Sequence, residues 1–159
     1  MSDRARVVVG VDGSAWSRVA LEFALADAAR RDAEIQAVSV IHDPEQWPAD
    51  IGMASLSAGT PATEQILGAT EQETRRVVAE AVAEVGESAT RVPVHVQTLL
   101  GTPAGMLIEQ AHGADLLVVG HCGRGGFASA LLGSVGMHCV LHATCPVTVV
   151  RPASRRPEE

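Results

Sequence analysis

Four consecutive apolar residues, Leu116 to Val119, run straight into a segment where glycine recurs at Gly120, Gly123, Gly125, Gly126 and Gly133 before Ser134. A short unbroken apolar run reads as a strand buried on both faces, and such strands belong to parallel sheets. The glycine segment then leads into a new helix at Ser134. At the carboxyl end of a parallel strand, closely spaced glycines let backbone N–H groups approach an anion, and a helix start adds unpaired donors and positive dipole. The stretch therefore predicts a phosphate cradle.

Two familiar phosphate loops fail on this segment. A P-loop ends in Gly-Lys-Ser/Thr, and this chain has no lysine, all twelve of its basic residues being arginine. The dinucleotide fingerprint needs G-x-G-x-x-G between the first strand and its helix, whereas these glycines follow a late strand at other intervals.

The rest of the chain alternates strand and helix patterns. Arg6 to Val11, with three consecutive valines, predicts a strand covered on both faces, and Asp12-Gly13-Ser14 turns it. Ser14 is the expected cap of a helix whose core stripe reads Trp16, Val19, Ala20, Phe23 and Ala24. Glu34 to Ile41 predicts a second strand. From His42 to Thr60 no period survives, which predicts a long loop, either a lid over a ligand or a solvated insertion. A helix is expected from Pro61 or Thr63 to Gly86, with Leu67, Thr70, Thr74, Val77, Val78, Ala81 and Val85 inward and its charges on a solvated face. Val92 to Leu100 predicts the third strand. Thr102 and Pro103 start the next helix, which ends at Gly113; Ser134 to about His142 forms a short helix and Pro146 to Arg151 the last strand. The tail from Pro152 to Glu159 is expected to be disordered.

Alternation without hairpin loops implies one doubly wound α/β layer of five parallel strands with helices on both faces. The 159 residues are expected to form a single domain (1–159) with a core over 6–151, and 47% hydrophobic against 19% charged content excludes a disordered chain. A net charge of −7 without a long basic run argues against nucleic acid as a partner. No stretch reaches membrane-spanning length, the start lacks a signal-peptide run, and three cysteines give no disulfide framework; the expectation is a cytoplasmic protein without a membrane partner.

The spacing Gly120-x2-Gly123-x9-Gly133-Ser134 resembles the nucleotide-binding signature of the universal stress protein family, and the resemblance extends from Val7 to Arg151. It implies a Rossmann-like sheet of order 3-2-1-4-5, which sets the first and fourth strands side by side and brings Asp12 next to Gly120. It also implies ATP as ligand, bound by Val11, Asp12, Val40, Gly120, Gly123, Arg124, Gly133, Ser134 and Val135. In this scheme the Val40 backbone pairs with the adenine edge. Gly120 and Gly123 admit phosphate or ribose oxygens, and Gly133, Ser134 and Val135 supply N–H donors, with the Ser134 hydroxyl beside them.

Asp12 has two readings from sequence, shaping the Asp-Gly turn or facing a ligand, and the resemblance favours contact with the nucleotide or with Mg2+ or Mn2+. Arg124 reads either as an anion contact or as a solvated loop arginine. Where the family commonly has Ser or Thr followed by Arg or His, this chain has His121-Cys122, a departure that implies weaker nucleotide affinity if those side chains touch ligand. Cys122, activated by His121 or by the nearby arginine, is a candidate reactive thiol. His138, Cys139, His142 and Cys145 have spacing that permits a metal, against the plainer reading of a core cysteine and surface histidines.

The resemblance implies a stress-response regulatory module that binds ATP and forms a homodimer through the final strand, 147–150. The alternatives are a slow ATPase or nucleotidyl transferase, for which no catalytic base is evident, and a dimeric scaffold without nucleotide.

Overall fold

The computed structural model describes residues 3–42, 59–123 and 131–153. The expected lid between residues 42 and 60 falls almost wholly outside them, as do Arg124 and the tail beyond residue 153. Five parallel strands form one sheet in the order β3-β2-β1-β4-β5, with β1 at Arg6–Gly10, β2 at Glu34–His42, β3 at Val94–Gly101, β4 at Leu116–Gly120 and β5 at Val147–Val150. The α-helices among the described residues are α1 (Ala15–Arg31), α2 (Pro61–Val85), α3 (Pro103–Gln110) and α4 (Ser134–His142).

The valine run in β1 explains both layers. Val7 and Val9 face a core completed by Ala20, Leu21, Ala24 and Leu25 of α1 and by Val77, Val78 and Ala81 of α2. Val8 faces the other way, among Val38, Leu107, Leu117, Val119 and Cys139. A strand alternates its side chains between faces, so only a run apolar at every position can serve two hydrophobic layers at once. Register pins β1 between its neighbours: Val8 stands opposite Gln36 on one side and Leu117 on the other.

Helix α1 is rotated from its expected orientation. Its buried face is Ser17, Ala20, Leu21, Ala24, Leu25 and Ala28, while Phe23 is exposed and Trp16 half-buried. Aromatic bulk suggested the other stripe, but the small residues Ala20, Ala24 and Ala28 let the helix lie close to the sheet, and Leu21 and Leu25 fill the space beside them. Ser14 caps α1 as expected, its Oγ accepting from Ser17 N at 3.1 Å. Ser14→Ala should lower the unfolding free energy by about 1 kcal/mol, read from urea denaturation at unchanged slope.

Helix α2 starts at Pro61, with the Thr60 Oγ1 accepting from Thr63 N at 3.3 Å. Its outer face carries Arg75–Glu71, Arg76–Glu73 and Arg76–Glu80 ion pairs, the solvated face expected from the sequence. Strand β3 begins at Val94 rather than Val92. A short 3-10 helix, Glu87–Arg91, takes up the chain before it, and Pro93 has no N–H to give a ladder, though its carbonyl accepts from Ile35 N at 2.8 Å.

Candidate functional site

Strands β1 and β4 are neighbours, yet the chain leaves β1 toward β2 and leaves β4 toward β5. Adjacent loops therefore diverge to opposite faces at their carboxyl ends, and a crevice opens between them. It is a cavity of about 920 Å3, lined by the ends of β1, β2 and β4, the start of α4 and one face of α2. Every described residue of the sequence-derived site lines it: Val11, Asp12, Val40, Gly120, Gly123, Gly133, Ser134 and Val135.

At the end of β1 the chain is tied to β2 by Val11 N donating to Val38 O at 2.8 Å. Asp12 then serves the turn with one oxygen and faces the glycine loop with the other. Its Oδ1 accepts from Ser14 N at 2.9 Å, and Oδ2 lies 3.2 Å from where a Cβ on Gly123 would stand. Gly13 adopts φ 81°, a left-handed conformation that suits glycine. Both readings of Asp12 are thus compatible in one side chain.

On β2, alternation exposes a backbone edge. Val38 O points to β1, so the backbone groups of Val40, two residues on, point to the same side, beyond Gly10 where β1 ends. Val40 therefore turns an N–H and a C=O toward the cavity instead of a neighbouring strand.

The loop after β4 is held from both sides. His121 N donates to Val150 O at 3.0 Å, and Gly133 N donates to His121 O at 2.8 Å, closing the glycine segment on itself. Gly133 is the N-cap of α4 and the first helical bond runs from Met137 N to Gly133 O. The N–H groups of Ser134, Val135 and Gly136 thus precede any intrahelical partner, and all three residues line the cavity. Ser134 is the first helical residue, as expected.

The glycines divide by role. A Cβ on Gly120 would lie 2.8 Å from the carbonyl carbon and oxygen of Trp16, so this glycine allows the first turn of α1 to press on the end of β4. A Cβ on Gly133 would meet Cys122 Cα and His121 O at 3.3 Å. Gly123 has, among the described residues, only the Asp12 carboxylate near its Cβ position.

Sequence reasoning missed the α2 wall. Ile66, Ala69 and Glu73 line the cavity, a stripe beside the expected inward one, of which Thr70, Thr74 and Val77 line it as well. Glu73 is held below the usual carboxylate range by its hydrogen bond from Arg76. Trp16 was also assigned to the core, whereas its ring stands 5.7 Å from that of His121. The described lining contains carboxylates and two histidines but no arginine, so an anion there would rest on backbone donors and the helix start.

Cysteine and histidine do not converge on a metal centre among the described residues. Cys139 is buried and its thiol is pushed up to about 11, chiefly by burial. The His138 and His142 rings lie 4.5 Å apart, tilted, on the outer face of α4, and no described helix is long and apolar enough to cross a membrane.

A crevice at the switch point of a doubly wound sheet, with a helix start on one wall, defines the ligand-binding class of open α/β domains. The chain belongs to the universal stress protein family, whose model matches residues 4–151. A universal stress protein of Mycolicibacterium smegmatis is 39% identical over 149 residues, covering 94% of this chain and 46% of that relative. The chain thus spans about half the length of the curated relatives it matches. Among solved structures, a universal stress protein in complex with cAMP superposes with a TM-score of 0.59 at 23% identity, over 94% of this chain and 98% of the other. The Archaeoglobus fulgidus universal stress protein in complex with dAMP gives 0.59 at 18% identity, over 95% and 100%.

Proposed function

We propose that this chain is an adenine-nucleotide-binding regulatory module, with ATP as its ligand, acting in the stress response as a homodimer. The observation that carries this reading is the cavity itself: residues scattered from Val11 to Val135 line one crevice, with a backbone edge at one end and a helix start at the other. The Val40 N–H and C=O match the donor and acceptor pattern of an adenine edge. The N–H groups of Ser134, Val135 and Gly136 suit phosphate oxygens, and Gly123 leaves them room. Complexes of similar proteins with cAMP and dAMP support the adenine assignment.

Asp12 fits a divalent cation. A single carboxylate facing the phosphate side suits Mg2+ or Mn2+, which take their other oxygens from phosphate and water. Such an ion would offset the negative charge that the described lining leaves without an arginine. Arg124, beyond the described residues, is a further proposed phosphate contact. Strand β5 supports the dimer: it ends the sheet, and an edge of three valines and Thr148, paired on its outer side with no described strand, invites a second copy.

Calorimetric titration of ATP with Mg2+ into nucleotide-stripped protein should give micromolar-range binding, with light scattering reporting a dimer. Asp12→Asn should weaken ATP binding in Mg2+ about tenfold, ~1.4 kcal/mol, and leave binding in EDTA unchanged. No heat in wild-type protein of native melting temperature would overturn the nucleotide reading.

A further inference from the structure

The pair that departs from the family pattern forms a chemical unit. His121 Nδ1 lies 3.2 Å from Cys122 Sγ, within hydrogen-bond reach, and both residues line the cavity. His121 is only 4% exposed, stacked near Trp16, and its Nε2 makes no hydrogen bond with any described residue. A buried imidazole with one nitrogen on a thiol and the other without a hydrogen bond to any described residue is the arrangement that activates a cysteine as a nucleophile. The backbone fixes it there, because His121 N is tied to Val150 O and His121 O receives Gly133 N.

The other two cysteines provide the contrast. Cys139, on the inner face of α4, is fully buried and does not line the cavity. Cys145 is half-buried, and burial pushes its thiol up as it does that of Cys139. Neither makes a hydrogen bond with an imidazole of a described residue, and none of the three cysteines is in a disulfide.

We propose that Cys122 is a modification site for small hydroperoxides, with His121 as its base, and that a ligand in the crevice shields it. Sγ attacks one peroxide oxygen, so that an S–O bond forms as the O–O bond breaks. The sulfur loses two electrons and becomes a sulfenic acid, while the peroxide is reduced. The thiol proton passes to Nδ1 of His121 and on to the departing oxygen, which leaves as water or an alcohol. Shielding follows from position: Cys122 stands between Gly120 and Gly123 on the wall where phosphates are assigned, so ligand and oxidant approach over the same surface. Coupling is reciprocal, and oxidation therefore weakens ligand binding as ligand slows oxidation. This second half rests on the nucleotide reading above.

The test exposes the full chain to limiting hydrogen peroxide, traps sulfenic acid with dimedone, and quantifies the three cysteine peptides by mass spectrometry. Cys122 should be labelled at least about tenfold faster than Cys139 or Cys145. His121→Gln should slow it by about tenfold and change the pH profile of labelling, with the melting curve as the check on folding. Saturating ATP with Mg2+ should slow wild-type labelling about tenfold. Labelling of Cys122 no faster than that of Cys145 overturns the proposal, whatever His121→Gln does. Fast labelling without protection, in protein that binds ATP by calorimetry, overturns the shielding. Fast labelling in protein that binds no ATP upholds the thiol site and sinks the nucleotide reading alone.

Discussion

Replacing Gly123 with valine should weaken ATP binding at least about a hundredfold, ~2.7 kcal/mol, while the protein stays folded. Gly123 has no left-handed φ, so a side chain brings no backbone strain. The only described atom within reach of an added Cβ is Asp12 Oδ2 at 3.2 Å. The branched group would therefore occupy the gap between Asp12 and the α4 start, displacing phosphate and any ion beside it. Stability should change by less than about 0.5 kcal/mol, since no packed neighbour is lost. Gly123→Ala should fall between the two, and calorimetry beside a thermal melt separates binding from folding. Unchanged affinity in Gly123→Val would move the phosphates away from this loop.

The elements were largely legible because parallel strands buried on both faces show as apolar runs: Val7 to Val9 and Leu116 to Val119 stand out against any helix period. Helix starts were equally plain at Ser14, Pro61 and Pro103, where local chemistry decides, although the Thr102 side chain makes no capping hydrogen bond. The strand order was different. Pairing is a long-range property, and alternation alone allows several orders; the order came from the resemblance, and the sheet has it. The rotation of α1 was hidden because aromatic size is a poor guide to burial where alanines let a helix approach the sheet.

The site was legible in the same uneven way. Its glycines carry a spacing, so they could be read, but their separate duties could not. Gly120 and Gly123 look alike in sequence, and only the approach of Trp16 to one and Asp12 to the other tells them apart. The α2 wall left its stripe at Ile66, Ala69 and Glu73, but a partly polar stripe next to a solvated face reads as more of that face. The His121–Cys122 contact is between neighbours in the chain, and nothing in their order says that the imidazole turns back onto the sulfur.

Gly120→Ala is expected to do the opposite of Gly123→Val, damaging the fold first. The new methyl would stand 2.8 Å from the Trp16 carbonyl carbon and oxygen and 3.1 Å from its Cβ, closer than packed atoms tolerate. A flexible side chain could swing away, but the obstacle is backbone. The first turn of α1 is fixed by Ser14 on Ser17 and by Ser17 Oγ on Asp12 N, and further along Ala20, Leu21 and Ala24 lock the helix to the sheet. Strand β4 cannot retreat either, since Gly120 pairs with Val150 and His121 N is bound to Val150 O. The overlap should cost about 1–3 kcal/mol, seen as a melting temperature lower by roughly 3–10 °C, with ligand affinity in the surviving fold reduced far less than in Gly123→Val. A wild-type melting temperature would mean that α1 yields at its first turn. The first glycine of the signature would then owe its place to the ligand rather than to the helix against it.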